Sequence, residues 1–237
     1  MQLRQRPTVA VVLPGTGFDA EFARHAFGPA LAKAGIEMIA VEPDPRRVVA
    51  SYLDALDSAR EKFGPVLVAG VSIGAAVALN WAGERDDRAV AILAVLPAWT
   101  GSPDGAAASL SAAFTAAQLR ERGIDAVIDT MRASSPPWLA DILTRSWRSQ
   151  WPDLPEALEE ASAYPSPTMA QLAKVSVPIG IAAAVDDPIH PIAVAEQWAT
   201  QLPTAAVARV TLDEIGADLA VLGYAAVDGL AHAGMVL

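Results

Sequence analysis

The chain has 237 residues, 53% of them hydrophobic and 19% charged, and a formal net charge of -10. This composition excludes a disordered chain and suits one large α/β domain able to bury a two-sided sheet. It argues against a nucleic-acid partner, because phosphate neutralisation needs clustered Lys and Arg, and here only Arg46-Arg47 stand together. With no cysteine there is no disulfide framework, thiol nucleophile or thiolate metal site, in keeping with a cytoplasmic protein.

The start, Met1 to Pro7, is basic, but the apolar stretch behind it runs into Pro14-Gly15-Thr16-Gly17, where a signal peptide would need a cleavage site. No apolar run reaches the roughly 18 residues of a membrane span, so a soluble protein is expected. Thr8 to Leu13 is rich in β-branched residues and ends in that Pro-Gly-Thr-Gly turn, which predicts a buried strand. Asp19 to Ala34 repeats apolar residues at helical spacing (Phe22, Ala26, Phe27, Ala30, Leu31) and stops at Gly35. A strand over Glu37 to Val41, an amphipathic helix over Val48 to Phe63, a strand over Val66 to Val71, a buried helix over Ile73 to Ala82 and a strand over Ala89 to Leu96 follow. Alternation of this kind predicts a parallel sheet covered by helices on both faces. It resumes with a strand over Val177 to Val185, a helix over Ala193 to Gln201, a strand over Ala205 to Leu212 and a helix over Ala217 to Ala233.

Between Ala98 and Lys174 the alternation lapses, and this stretch carries Trp99, Trp138, Trp147 and Trp151, four of the six tryptophans. Rings on a solvent-facing insertion must be buried against something, so residues 98–174 are predicted to form a helical cap over the active site. Residues 1–97 and 175–237 form the α/β core. Pro136, Pro137, Pro155, Pro165 and Pro167 are expected to break the cap into short helices.

The motif with the most chemistry is Gly70-Val71-Ser72-Ile73-Gly74, set between an apolar strand and an alanine-rich helix. Gly-x-Ser-x-Gly in that context displays a nucleophile: Gly70 and Gly74 allow close backbone approach while Ser72 occupies a strained turn. Ile73 opens the helix, so its N–H is free to stabilise an oxyanion.

On these residues the chain resembles the α/β-hydrolase family of serine hydrolases over essentially its whole length. The resemblance also rests on Leu13-Pro14-Gly15-Thr16-Gly17-Phe18, which stands in the place of the family's His-Gly oxyanion loop. It implies that the Thr16 N–H, with Gly17 a second candidate, joins the Ile73 N–H. Pro14 replaces the usual histidine, but the backbone supplies the donor. The third matching piece is Val185-Asp186-Asp187-Pro188-Ile189-His190-Pro191, similar to the family's acid loop, with Asp187 as the acid and Asp186 its alternative. The family's opening hairpin has no counterpart here, so six strands are expected, with the elbow and glycine loop at the switch point of the sheet. Gly17, Phe18 and Trp99 are the candidate substrate contacts.

The family's general base usually follows the last strand as Gly-His, whereas this chain reads Leu212-Asp213-Glu214-Ile215-Gly216-Ala217-Asp218. Ala217 stands at the histidine position. Of the three histidines, His232 lies about fifteen residues along the terminal helix, roughly 22 Å away at 1.5 Å per residue. His25 sits nearly two turns into the first helix. His190, three residues beyond Asp187 and flanked by Pro188 and Pro191, is the candidate base, with a pocket-lining role as its alternative.

The resemblance and the apolar cap point to a serine hydrolase acting on an ester or thioester of a small to medium apolar acyl group. No cofactor is implied, and no metal, since the histidines are dispersed. Two other readings stand beside it. One is a noncatalytic or impaired ligand-binding protein on the same fold, with no functional base because Ala217 replaces the histidine. The other is a dinucleotide-binding protein, because Gly15-x-Gly17-x-x-Ala20 opens a helix and Glu42 ends the next strand. Against the latter, Asp19 would lie where a pyrophosphate needs positive potential.

Overall fold

The computed structural model describes residues 6–85 and 87–237; the basic opening over 1–5 lies outside the described residues. In chain order the elements are β1 (Val9–Leu13), α1 (Ala20–Lys33), β2 (Glu37–Ala40), α2 (Val48–Phe63), β3 (Val66–Val71), α3 (Ile73–Gly83) and β4 (Ala89–Val95). Then come α4 (Ala107–Ser134), α5 (Pro137–Gln150), α6 (Leu154–Ala163) and α7 (Met169–Leu172). The chain closes with β5 (Ile179–Ala184), α8 (Ile192–Gln201), β6 (Ala205–Val210), α9 (Leu212–Ala217) and α10 (Ala220–His232).

The strands form one six-stranded sheet in the order β2-β1-β3-β4-β5-β6, parallel at every pairing. Every residue of β1, β3 and β5 is buried, as uninterrupted apolar runs covered on both faces must be. The edge strands β2 and β6 are partly exposed and carry the charged Glu37 and Arg209. On one face α1 and α10 bury Phe22, Phe27, Leu31, Leu222 and Leu230 against the sheet. The other face takes Tyr52 and Leu56 of α2, Trp81 of α3 and Trp198 of α8. Chain direction through the sheet reverses between β1 and β3, whose ends are aligned by the pair Leu13↔Gly70. The loops leaving those two strands diverge there and open a crevice.

Two expectations need correction. In residues 98–174, Pro165 and Pro167 lie in the non-helical stretch between α6 and α7, but three of the prolines mark helix starts: Pro136 precedes α5, Pro137 occupies its first turn, and Pro155 lies in the first turn of α6. The segment opens with α4, two helical stretches that meet at the non-helical Gly123 (φ 75, ψ 169), and has a core of its own around Leu119, Ile128, Met131, Trp147 and Leu158. Secondly, the turn expected after the last strand is the short helix α9. Thr211 starts it with a capping box: its side chain accepts from the Glu214 N–H, and the Glu214 carboxylate accepts from the Thr211 N–H. Asp186 holds the same corner by accepting from the Leu212 N–H at 2.9 Å.

Candidate active site

β3 ends at Val71, and Ser72 turns the chain into α3 with φ 54 and ψ -113, a left-handed conformation costing about 1–3 kcal/mol for a non-glycine residue. Surrounding structure forces it. The Ser72 N–H donates to the Val95 carbonyl at 2.9 Å, continuing the sheet, while the Ala76 N–H donates to the Ser72 carbonyl at 3.1 Å, starting the helix. A Cβ on Gly70 would lie 2.3 Å from the Gly74 carbonyl carbon, and one on Gly74 would lie 2.5 Å from the Leu13 oxygen. Only glycines let β1, β3 and α3 approach so closely.

Ser72 is the N-cap residue of α3, yet its hydroxyl makes no capping bond. It meets His190 Nε2 at 3.1 Å, and His190 Nδ1 meets Asp187 Oδ2 at 2.9 Å. Asp187 Oδ1 accepts from the backbone N–H groups of Ile189 at 2.7 Å and His190 at 3.1 Å, so the acid folds its own loop around itself. Burial alone pushes the Asp187 carboxyl up. The His190 ring, by hydrogen bond and charge, and the two backbone N–H groups outweigh that and hold it below its ordinary range. An ionised Asp187 only accepts, so Nδ1 carries the His190 proton and Nε2 is left to accept from the Ser72 hydroxyl. The side chains of His190 and Asp187 are 18% and 9% exposed, dry enough to strengthen both contacts and open enough for a ligand to reach Ser72.

These three residues open into a cavity of about 650 Å³ that is also lined by Thr16, Phe18, Leu96, Trp99, Trp138 and Trp147. Thr16 is the second residue of a turn closed by the Phe18 N–H on the Gly15 carbonyl at 3.1 Å. Ile73, first residue of α3, has no intrahelical partner for its N–H. Gly17, expected to touch substrate, does not line the cavity. It is buried at φ 74 beneath Trp147, where a Cβ would stand 2.8 Å from the indole nitrogen.

Ala217 is exposed at the end of α9 and outside the cavity lining, whereas Leu212 and Ile215 of the same helix face the cavity. His25 is exposed on α1, and His232 is exposed on α10 beside Asp228. Where a dinucleotide's pyrophosphate would meet α1, Asp19 accepts from the Phe22 N–H at 2.8 Å and Glu42 from the Ala20 N–H at 3.0 Å. Two carboxylates fill that helix end and repel an anion. Among the described residues no helix is long and apolar enough to cross a membrane, and no group of three or more His, Asp and Glu is placed to hold a metal ion.

Sequence reading did not find Arg145, Ser146 and Gln150, which tie α5 to the loop after β1 across 126 to 132 residues. Contacts at that separation leave no local spacing to detect.

No protein-family profile and no curated protein sequence matches the chain. Solved structures do. MenH from S. aureus superposes with a TM-score of 0.69 at 14% identity, covering 98% of this chain and 96% of that one. An esterase from Thermogutta terrifontis gives 0.65 at 17% identity over 87% and 82% of the two chains. The enol-lactonase from Burkholderia xenovorans LB400 gives 0.64 at 16% identity over 90% and 85%. The chain has the α/β-hydrolase fold, in a version with six parallel strands.

Proposed function

We propose that the protein is a serine ester hydrolase with Ser72 as nucleophile, His190 as general base and Asp187 as the group that orients and stabilises it. The observation that carries this reading is the continuous relay from Asp187 Oδ2 through the His190 ring to Ser72 Oγ, with contacts of 2.9 and 3.1 Å. As Ser72 Oγ attacks an ester carbonyl, its proton passes to His190 Nε2. The imidazolium so formed is stabilised by the ionised Asp187. The Thr16 and Ile73 N–H groups receive the charge growing on the carbonyl oxygen. His190 then protonates the leaving alcohol or thiol, and water, deprotonated by the same ring, releases the acid from Ser72.

Residues 98–174 act as the cap. Its Trp99, Trp138 and Trp147 give the cavity an apolar wall, which favours a small to medium apolar acyl group. The structural neighbours include an esterase and an enol-lactonase, which supports acyl-transfer chemistry as the class. The test is labelling with a fluorophosphonate followed by peptide mapping. Ser72 should carry the label and Ser72→Ala should carry none; equal labelling of the variant refutes the reading.

A further inference from the structure

We infer, on the basis of the hydrolase reading above, that α5 belongs to the oxyanion machinery: Ser146 and Gln150 are positioning residues that hold the Thr16 N–H in register with Ile73. The cap would then complete the catalytic centre as well as cover it.

The loop from Pro14 to Asp19 has almost every carbonyl tied. Tyr52, fully buried on α2, donates its hydroxyl to the Pro14 carbonyl at 2.8 Å. The Gly15 carbonyl accepts from the Phe18 N–H. From α5, the Ser146 hydroxyl donates to the Gly17 carbonyl, and one helical turn later Gln150 Nε2 donates to the Phe18 carbonyl at 3.0 Å. Ser146 is 0% and Gln150 4% exposed, so neither bond competes with water. Arg145 closes the row with contacts of 3.0 to 3.2 Å to both carboxylate oxygens of Asp19, and Trp147 lies on Gly17.

The Thr16 N–H shares a peptide plane with the Gly15 carbonyl. Turning that N–H away from the cavity breaks the Gly15 bond to Phe18, and Phe18 is itself fixed on both sides by Ser146 and Gln150. Oxyanion donors contribute through being fixed before charge develops, and a displacement of about 1 Å costs on the order of 10²-fold. The Gly17 and Phe18 carbonyls do not touch substrate; what they fix is the direction of a donor.

The experiment compares Ser146→Ala and Gln150→Met with the unaltered chain in hydrolysis of p-nitrophenyl butyrate, inhibition by an alkyl trifluoromethyl ketone, and thermal melting. The ketone adduct on Ser72 places an oxygen anion in the oxyanion position, so it reads the donors directly. In each variant kcat should fall about tenfold or more and ketone affinity should weaken by a similar factor, while KM stays within about threefold. Arg148→Gln, also on α5, removes an exposed ion pair to Asp125 of α4 and should leave all three readouts unchanged. Gln150→Met retains side-chain length and decides the matter if Ser146→Ala fails to fold. A folded variant with unaltered kcat and ketone affinity overturns the inference, as does a loss confined to KM. An unaltered chain that neither hydrolyses the ester nor binds the ketone refutes the hydrolase reading itself and, with it, this inference.

Discussion

At Asp187 one carboxylate meets three N–H groups, and two of them are backbone groups of the loop that carries His190, the proposed base. With His190 only three residues beyond Asp187 the loop is tight, and Oδ1 closes it by accepting from the Ile189 and His190 N–H groups. If His190 moves the proton, His190→Gln should lower turnover at least about 10²-fold while KM changes little, read from steady-state kinetics with a p-nitrophenyl ester. If the ring only lines the pocket, KM shifts and turnover survives. The depressed Asp187 carboxyl makes a separate prediction about stability. A group whose folded value lies below its unfolded one contributes stability above the unfolded value, near about 3.9 for Asp, and loses it as pH falls through the folded value. Asp187→Asn should therefore melt below the unaltered chain at pH 7, with the gap narrowing below about pH 4. A gap that is constant from pH 7 to pH 3 would show that ionisation of Asp187 is not what stabilises the loop.

At the scale of elements, the elbow depends on three backbones meeting where no Cβ fits. Gly74→Ala should cost roughly 1–3 kcal/mol, a fall in Tm of about 2 to 12 °C for a chain of this size, with activity reduced in the protein that remains folded. A melting curve unchanged by the substitution would mean that β1 and α3 are less closely packed than 2.5 Å implies. Residue 217 behaves differently. The Thr211 and Glu214 capping box winds the chain into α9, which carries Ala217 out to solvent and leaves Leu212 and Ile215 facing the cavity. Ala217→His should leave esterase turnover within about twofold, since a base must come within about 3.2 Å of the proton it takes; a gain of tenfold or more would refute this placement. The Thr211-x-x-Glu214 box lies where the last strand is expected to run on to Leu212, so the stretch expected to be a turn presenting position 217 is a helix instead. The sheet was legible because buried parallel strands are continuous apolar runs, and β3, with the elbow beyond it, has the bounds expected from Val66 to Val71. The starts of α5 and α6 were not, because a proline signals a helix start as readily as a helix break.

Across the whole molecule, the α/β core carries Ser72, Asp187 and His190, while the segment between β4 and β5 supplies most of the apolar wall above them. Trp138 shows how the two are joined: its indole packs so closely on α9 that a Cβ at Gly216 would lie 2.4 Å from the ring nitrogen. Fixing the wall in this way fixes the depth of the cavity, and in the proposed reaction depth sets which acyl chain is bound. Each buried methylene is worth about 0.8 kcal/mol, or about fourfold in kcat/KM if it is held in the transition state. For p-nitrophenyl esters lengthened from acetate, kcat/KM should rise by up to about that factor per methylene and then level off or fall once the chain exceeds the cavity of about 650 Å³. Leu143→Ala, which removes bulk from an α5 residue lining the cavity, should move the optimum to a longer chain without lowering turnover on the shortest ester. Acetate hydrolysed with the highest kcat/KM of the series, by both proteins, would mean that the apolar wall does not bind the acyl group and that the cavity above Ser72 holds the leaving group instead.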